Sequence, residues 1–318
     1  MRAVVYTKYG SADVLAIEDR PVPVVGPNDV LVRVHAAALN PKDCLVRKGK
    51  YKIITGNRFP RLLGYDYAGE VIECGPSVRH LSQGEKVYGM IQSWSGGACA
   101  EYVVARASEC APMPRSLGWE DAAAIPLAGQ TALQALRDVG GVQPGHRVLI
   151  HGASGGVGTF AIQIAKILGA HVTAVASAAN HALCRELGAD ETLDYRAGSP
   201  FAGSETYDVV FDVFGNRAPS EVRRALRKPG VMVSTVPSIK TAVAVATTLV
   251  SRRRVRFVVV HSKTADLATL ASFVDSGKLR PIVHEVFPLS DVRAASRQIE
   301  TKRTRGKVVL RIADGATA

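Results

Sequence analysis

Aromatic residues are scarce in this chain, 6% of the total, and they do not interleave with basic residues along a stripe. That argues against the stacking platforms on which single-stranded nucleic acid is read. Cysteine is scarce too. The five cysteines, at 44, 74, 99, 110 and 184, form no C-x-x-C pair and keep no regular spacing. An odd, scattered set is no disulfide framework and fits a reducing compartment, so a cytoplasmic protein is expected. The opening MRAVVYTKYG has no apolar core of a signal peptide. The apolar stretch 236–250 is too short to span a bilayer and contains Lys240. It reads as a buried helix flanked by the solvated arginines 252–254, with a peripheral membrane contact as the alternative. No repeat or low-complexity tract is visible. Acidic residues are outnumbered, 28 against 40 Lys and Arg, for a formal net charge of +12. Such a charge attracts anionic partners or simply keeps a protein soluble. With no stripe to concentrate it, solubility accounts for most of it.

What is present is an ordinary globular composition, 47% hydrophobic and 21% charged, over 318 residues. That length suggests about two domains. The most informative stretch is His146–Gly169, HRVLIHGASGGVGTFAIQIAKILG. Val148–Ile150 reads as a short buried strand. Gly152, Ala153, Ser154, Gly155, Gly156, Val157 and Gly158 form a glycine-rich turn. From Thr159 the apolar spacing is helical, and Gly169 stops it. Strand, glycine turn and helix make a dinucleotide site: the backbone can approach a pyrophosphate, which sits on the free N–H groups of the helix N-terminus. Ala153 replaces the second glycine of the strict G-x-G-x-x-G pattern, and a purely structural tight turn is the competing reading.

Before this stretch the chain reads as short strands with Gly-rich turns, among them Asp29–Ala38, Tyr67–Cys74, Lys86–Met90 and Ala100–Val104. That predicts a compact barrel-like β domain. Between them Pro41 stops a strand, and a loop runs past Gly49, Tyr51, Gly56 and Pro60. Ser116 is expected to cap a helix through Asp121–Ile125, and Ala128–Val139 is a second helix. After the glycine turn come strands at His171–Ala176, Glu191–Asp194, Tyr207–Phe214, Val231–Val236 and Phe257–Val260, with helices at Asn180–Leu187 and Ser220–Leu226. Tyr207–Phe214 is apolar almost throughout, as a parallel strand buried on both faces must be. Ala265–Asp275 and Ser290–Glu300, the latter capped by Ser290, are helical. The final strand Lys307–Ile312 has no local hairpin partner, so it is expected to join the N-terminal β domain. The domains divide as 1–120 with 265–318, and 121–264.

An acidic residue after the second strand binds the ribose hydroxyls of NADH. Here Ser177–Arg185, SAANHALCR, contains none. Ser177 can donate to a 2′-phosphate, and His181 and Arg185 add positive charge, so NADPH is favoured. The alternative is that Ser177 merely opens a turn and the acid comes from elsewhere.

Together AALNPKD (37–43), LLGYDYAGEV (62–71), AAAIPLAGQTALQAL (122–136), HGASGGVGTFAIQIAK (151–166), LGADETLDYR (187–196), YDVVFDVFG (207–215) and RGKVVL (305–310) span nearly the whole chain. Their order resembles the medium-chain dehydrogenase/reductase superfamily, and within it the zinc-free quinone oxidoreductase and enone reductase branch, which includes zeta-crystallin-like proteins. The resemblance implies an α/β fold: a GroES-like β-barrel domain around an inserted Rossmann doubly wound parallel sheet, with the active site between them. Zinc alcohol dehydrogenases of this superfamily carry a Cys where Asn40 stands and a His–Glu pair where Tyr65–Asp66 stands. Their four-cysteine lobe is also missing, with only Cys99 and Cys110 in that region. No metal is therefore expected.

Without a Lewis acid, the implied chemistry is hydride transfer from NADPH to an acceptor already activated by conjugation, a quinone or an α,β-unsaturated carbonyl. The resemblance makes Tyr51 the candidate proton donor, with an exposed loop aromatic as the plain alternative and water as another proton source. It gives Asn40 the substrate oxygen or the nicotinamide ribose, and it turns Tyr65 toward the pocket. Thr131 falls on the nicotinamide side, Tyr195 and Ser177 at the adenosine-phosphate end, and Phe214 and Gly215 beyond a strand's carboxyl end. Lys307 either approaches the cofactor phosphate or is a solvated strand-edge charge. A homodimer through the Rossmann edge strand is the implied assembly. Two further readings stay open: an enoyl-thioester reductase, and a non-catalytic NADPH-binding sensor or scaffold.

Overall fold

The computed structural model describes residues 1–201, 205–236 and 239–312. Residues 237 and 238 of the apolar 236–250 stretch, and 313–318 of the C-terminal segment, lie outside the described residues. The chain forms two compact units: 1–127, 261–277 and 281 onward in the first, 128–260 with 278–280 in the second. The sequence reading divided them at 120/121 and 264/265.

In the first unit β1 (Arg2–Tyr6) and β2 (Ala16–Asp19) pair antiparallel. The long strand β3 (Asp29–Leu39) ends where Asn40 and Pro41 open helix α1 (Pro41–Arg47), followed by the short α2 (Lys52–Thr55). Pro41 does stop the strand, but it also starts a helix, because a proline at the first helical position has no N–H to lose. The 40–60 segment is thus partly helical where a loop was expected. Strands β4 (Arg61–Leu62), β5 (Asp66–Cys74), β6 (Lys86–Met90), β7 (Tyr102–Arg106) and β8 (Cys110–Pro112) lead to α3 (Trp119–Ala123). Gly118, not Ser116, caps α3; the Ser116 hydroxyl instead donates to Asp275, 3.2 Å away.

The second unit carries most of α4 (Pro126–Leu133) and then β9 (Arg147–His151), α5 (Gly156–Ile167), β10 (His171–Ala176), α6 (His181–Glu186), β11 (Glu191–Asp194), β12 (Tyr207–Asp212), α7 (Pro219–Val222), β13 (Leu226–Ser234), α8 (Ile239–Thr247) and β14 (Arg253–Phe257). Its six strands form one parallel sheet in the order β11-β10-β9-β12-β13-β14. Leu149, Val175, Val210 and Met232, from four neighbouring strands, pack into one buried cluster. That burial is why these strands are nearly all apolar.

The edge of the sheet departs from expectation. Ser251–Arg256 is not a solvated flank, since β14 itself lies there, with Val255 buried and Arg254 and Arg256 exposed. Charged residues on an edge strand blunt it against further pairing and also disguise it in the sequence. On α8 Ala244 and Val245 pack against the sheet's core cluster while Val243 is exposed, as are Leu249 and Val250 beyond the helix, so the expected buried helix is only partly buried over its described residues.

The chain then returns to the first unit with α9 (Thr264–Asp275), β15 (Val283–Pro288), α10 (Val292–Glu300) and β16 (Lys307–Arg311). Asp291 rather than Ser290 holds the position before α10. β16 pairs antiparallel with β3 across Val308↔Leu39 to Arg311↔Ala36, which completes a seven-stranded, barrel-like sheet. β5 follows one edge of β3, while β7 and β16 share the other. The C-terminal end of β3 and the N-terminal ends of its antiparallel neighbours β5 and β16 bring Asn40, Asp66 and Lys307 to one place.

Candidate active site and dinucleotide cradle

In the second unit β9 ends at His151 and the chain turns sharply into α5. Gly152 sits at φ +85°, where side chains are strained, and a Cβ there would meet the Phe214 ring at 2.7 Å. A Cβ on Gly158 would stand 2.2 Å from the Gly152 carbonyl oxygen. Helix and turn are therefore pressed together as only glycine permits. No side chain caps α5 at Gly155, so its first N–H groups remain available to an anion. This cradle fits a dinucleotide pyrophosphate.

Behind the turn lies a network that reading the sequence missed. His151 and Asp212 end adjacent parallel strands in register. The imidazole Nδ1–H donates to Asp212 Oδ1 at 3.0 Å, while Nε2 accepts from Arg217 Nε at 3.2 Å and Nη2 at 3.1 Å. Asp212 also accepts the N–H groups of Gly215 at 3.1 Å and Arg217 at 2.9 Å, and Arg217 pairs with Glu221. The network fixes the loop that carries Phe214 and Gly215 against Gly152. Polar residues at the carboxyl ends of two apolar strands were the available signal.

At the other end of the turn, Asn180 Nδ2 donates to Ser154 Oγ at 3.0 Å and to Ser177 Oγ at 3.2 Å. The acid absent from 177–185 comes from β11: Asp194 accepts the N–H of Ala178 at 3.1 Å and of Arg196 at 2.9 Å. Both bonds, the Arg196 N–H first, hold its carboxyl below the usual carboxylate range. Tyr195 is exposed, with the Arg196 guanidinium 5.5 Å from its ring centre. Thr131 is buried on α4.

The first unit holds a separate polar cluster. Asn40, Asp66 and Lys307 are all at most 3% exposed. Lys307 Nζ donates to Asp66 Oδ2 at 3.0 Å and to Asn40 Oδ1. Asn40 Nδ2 donates to Asp66 Oδ2 at 2.9 Å, and the Leu127 N–H donates to Asp66 Oδ1 at 2.9 Å. The structure thus places Lys307 on these two side chains rather than in solvent, and it leaves the Asn40 amide engaged at both ends. Tyr65 is buried, its hydroxyl 3.5 Å from the Trp94 carbonyl, and burial pushes its phenol pKa up. Tyr51 is half-buried and its ring lies 5.2 Å from that of Trp94.

Asp43 locks the LNPKD turn. Its carboxylate accepts the Asn40 N–H at 2.7 Å and the Gly64 N–H at 3.0 Å. Burial nevertheless pushes its pKa up to about 7. The folded form therefore holds a proton that the unfolded chain has released between its ordinary 3.8 and about 7. Asp43 contributes stability fully below that window and loses it as pH rises through it, with a limiting slope of about 1.4 kcal/mol per pH unit. Urea unfolding of wild type and Asp43→Asn across pH 4 to 8 is expected to show this slope in the difference. A pH-independent difference would assign Asp43 a purely geometric role.

Residues 26–115 match the model of the alcohol dehydrogenase GroES-like domain, and residues 187–310 that of the zinc-binding dehydrogenase family. The chain is 34% identical to the bovine mitochondrial NAD(P)H oxidoreductase RTN4IP1, covering 98% of this chain and 89% of that protein. It is 35% identical to the chloroplastic NADPH-dependent alkenal/one oxidoreductase of Arabidopsis thaliana, over 98% and 79%. The solved quinone oxidoreductase of Coxiella burnetii superposes with a TM-score of 0.90 at 35% identity, over 98% and 99%. A GroES-like unit and a parallel-sheet unit with a dinucleotide cradle define the class as a medium-chain dehydrogenase/reductase. The chain belongs to that superfamily, in the branch of the quinone oxidoreductases and enone reductases.

The matched description names zinc, and the residues here do not fit it. A catalytic zinc takes about three protein ligands drawn from His, Cys and carboxylate. At this position stand Asn40, Tyr65 and Asp66, with a lysine ammonium already hydrogen-bonded to the one carboxylate. Among the described residues no three His, Cys, Asp or Glu side chains come together to hold a metal.

Proposed function

We propose that this protein transfers a hydride from NADPH to a quinone or an α,β-unsaturated carbonyl without zinc. The observation that carries this reading is the Asn40–Asp66–Lys307 cluster. It fills the family's metal position with a bound ammonium, so a simple ketone has no Lewis acid to polarise it there. A conjugated acceptor needs none, because its β-carbon or ring is already electrophilic. Bound nicotinamide supplies the hydride. The chain's own residues hold the pyrophosphate on the α5 N-terminus, orient the Phe214–Gly215 loop and neutralise the negative charge left on the acceptor oxygen.

The preference for NADPH is supported by Ser177, Tyr195 and the exposed Arg196, which bring two hydroxyls and a guanidinium to the ends of β10 and β11 beside Asp194. A homodimer through an edge strand of the parallel sheet belongs to the same reading; β11 and β14 are the two strands at its ends. A cytoplasmic location is supported by five free cysteines.

The test is cofactor oxidation, followed by absorbance, against a benzoquinone, a naphthoquinone, a short enal, an enone, crotonyl-CoA and a saturated ketone. We expect turnover of a quinone or an enone, none of the saturated ketone, and kcat/KM for NADPH about tenfold or more above NADH, the factor that one charge–phosphate contact supplies. Turnover confined to crotonyl-CoA would make it an enoyl-thioester reductase. Tight NADPH binding with no turnover would make it a sensor. Sedimentation of the same preparation reads the assembly, and a monomer would refute the dimer.

A further inference from the structure

We propose that Lys42 is the group that meets the acceptor's developing oxyanion and protonates it, in a box made by Tyr65, Trp94 and Tyr51. The inference rests on the reductase reading above. Lys42 lies two residues past Asn40, on α1, and its ammonium sits 3.8 Å from the Tyr65 ring centre and 4.8 Å from that of Trp94. Tyr51 packs on the same Trp94 ring, and Ile53 and Ile54, immediately beyond it on α2, are 96% and 61% exposed. A planar, conjugated acceptor has aromatic and aliphatic surface to lie on here, and the Lys42 ammonium to meet its carbonyl oxygen; the other cation at Trp94, Arg61, donates to the Thr55 and Trp94 carbonyls, both at 2.8 Å.

The Lys42 ammonium has no anion of its own. Among the described residues no carboxylate lies within ion-pair distance of Lys42. The three carboxyls that act on it through space are Asp43, Asp66 and Glu109, and each is committed elsewhere. Asp43 accepts the Asn40 and Gly64 N–H groups, Asp66 holds Lys307, and Glu109 accepts the Gln92 N–H at 3.1 Å. Burial lowers the ammonium's pKa, and the three carboxyls oppose this without cancelling it. A half-buried ammonium on two π faces, without a counter-ion, is placed to receive a charge that exists only during turnover.

The step balances. Hydride from the reduced nicotinamide forms a C–H bond at the enone β-carbon, and the C=C electrons move to the carbonyl oxygen. The Lys42 N–H proton passes to that oxygen, leaving an enol and a neutral amine. The enol tautomerises to the saturated ketone, and water reprotonates Lys42. With a quinone the same proton goes to the quinolate oxygen.

The test compares wild type, Lys42→Met, Lys42→Arg and Tyr51→Phe in the full chain with an enone and a quinone. Lys42→Met is expected to lower kcat about a hundredfold, as loss of one oxyanion partner does, and to abolish the basic limb of the pH profile. The NADPH dissociation constant should not move. Lys42→Arg should restore part of kcat without that limb, because guanidinium does not deprotonate. A Lys42→Met enzyme within about threefold of wild-type kcat, with its basic limb intact, would overturn the proposal while leaving the reductase reading standing. Para-nitrophenol gives a second readout without turnover. Wild type should bind the phenolate and develop its yellow band below the free phenol's pKa, and Lys42→Met should not. If wild type turns over none of the acceptors, the reductase reading fails on its own. The phenolate titration then decides the Lys42 site, and equal binding by both proteins overturns it.

Discussion

Replacing Gly158 with alanine is expected to weaken NADPH binding by about tenfold or more and to cost roughly 2 kcal/mol of stability. The added Cβ would fall 2.2 Å from the Gly152 oxygen and 2.7 Å from the Ala153 carbonyl carbon and Cα. All three are backbone atoms, so no flexible side chain can yield. Helix α5 has to move away from the turn by about an ångström, the scale of misplacement that costs a positioned site dearly. The same N–H groups that would hold a pyrophosphate move with it. Gly155→Ala is the control for stability, because its Cβ would meet only the Gly152 oxygen, at an ordinary 3.6 Å. Calorimetric titration with NADPH and urea unfolding measure the two effects. Unchanged affinity in a destabilised Gly158→Ala variant would show that the turn is a packing device and that the pyrophosphate lies elsewhere.

That turn was legible in the sequence because everything it needs is local. Strand, glycines and helix are contiguous, and Gly152, Gly155 and Gly158 announce close backbone approach before any tertiary contact is known. The return of Lys307–Arg311 to β3 was legible for the opposite reason, as a strand with no neighbour to pair with. Features that depend on register were not legible. His151 and Asp212 are 61 residues apart and meet because two parallel strands end level. Strand β14 escaped notice because arginines 252–254 look like a solvated flank, and only the sheet shows Arg254 and Arg256 exposed on either side of a buried Val255. Lys42 and Asp43 sat in a segment read as loop, where neither the helix at Pro41 nor the two N–H groups on Asp43 could be anticipated. The NADPH argument from the missing acid was incomplete in the same way, because Asp194 reaches that place from the next strand.

Lys307→Met is expected to destabilise the first unit by about 3–5 kcal/mol, the cost of breaking a buried ion pair by removing one partner. The ammonium is the one cation within ion-pair distance of Asp66 among the described residues, and Asp66 is fully buried. Asn40 Nδ2 and the Leu127 N–H would still donate to the carboxylate, but neutral donors do not supply a charge. Methionine matches the lysine stem in length, so packing is largely kept and the loss reports electrostatics. The double variant Asp66→Asn/Lys307→Met removes both charges and should recover more than half of the loss, since replacing a whole buried pair with neutral groups is often nearly free. Trp94 and Trp119 are the chain's two tryptophans and both lie in the first unit, so urea unfolding followed by tryptophan fluorescence reads this unit. Adding zinc should not rescue Lys307→Met, because Asp66 and the Asn40 amide are too few ligands to hold it, and the double variant lacks even the Asp66 carboxylate. A loss below about 1 kcal/mol for Lys307→Met would put the pair in the class of solvent-screened surface bridges. It would also remove the reason for reading the cluster as a lysine standing where the superfamily's zinc enzymes keep their metal.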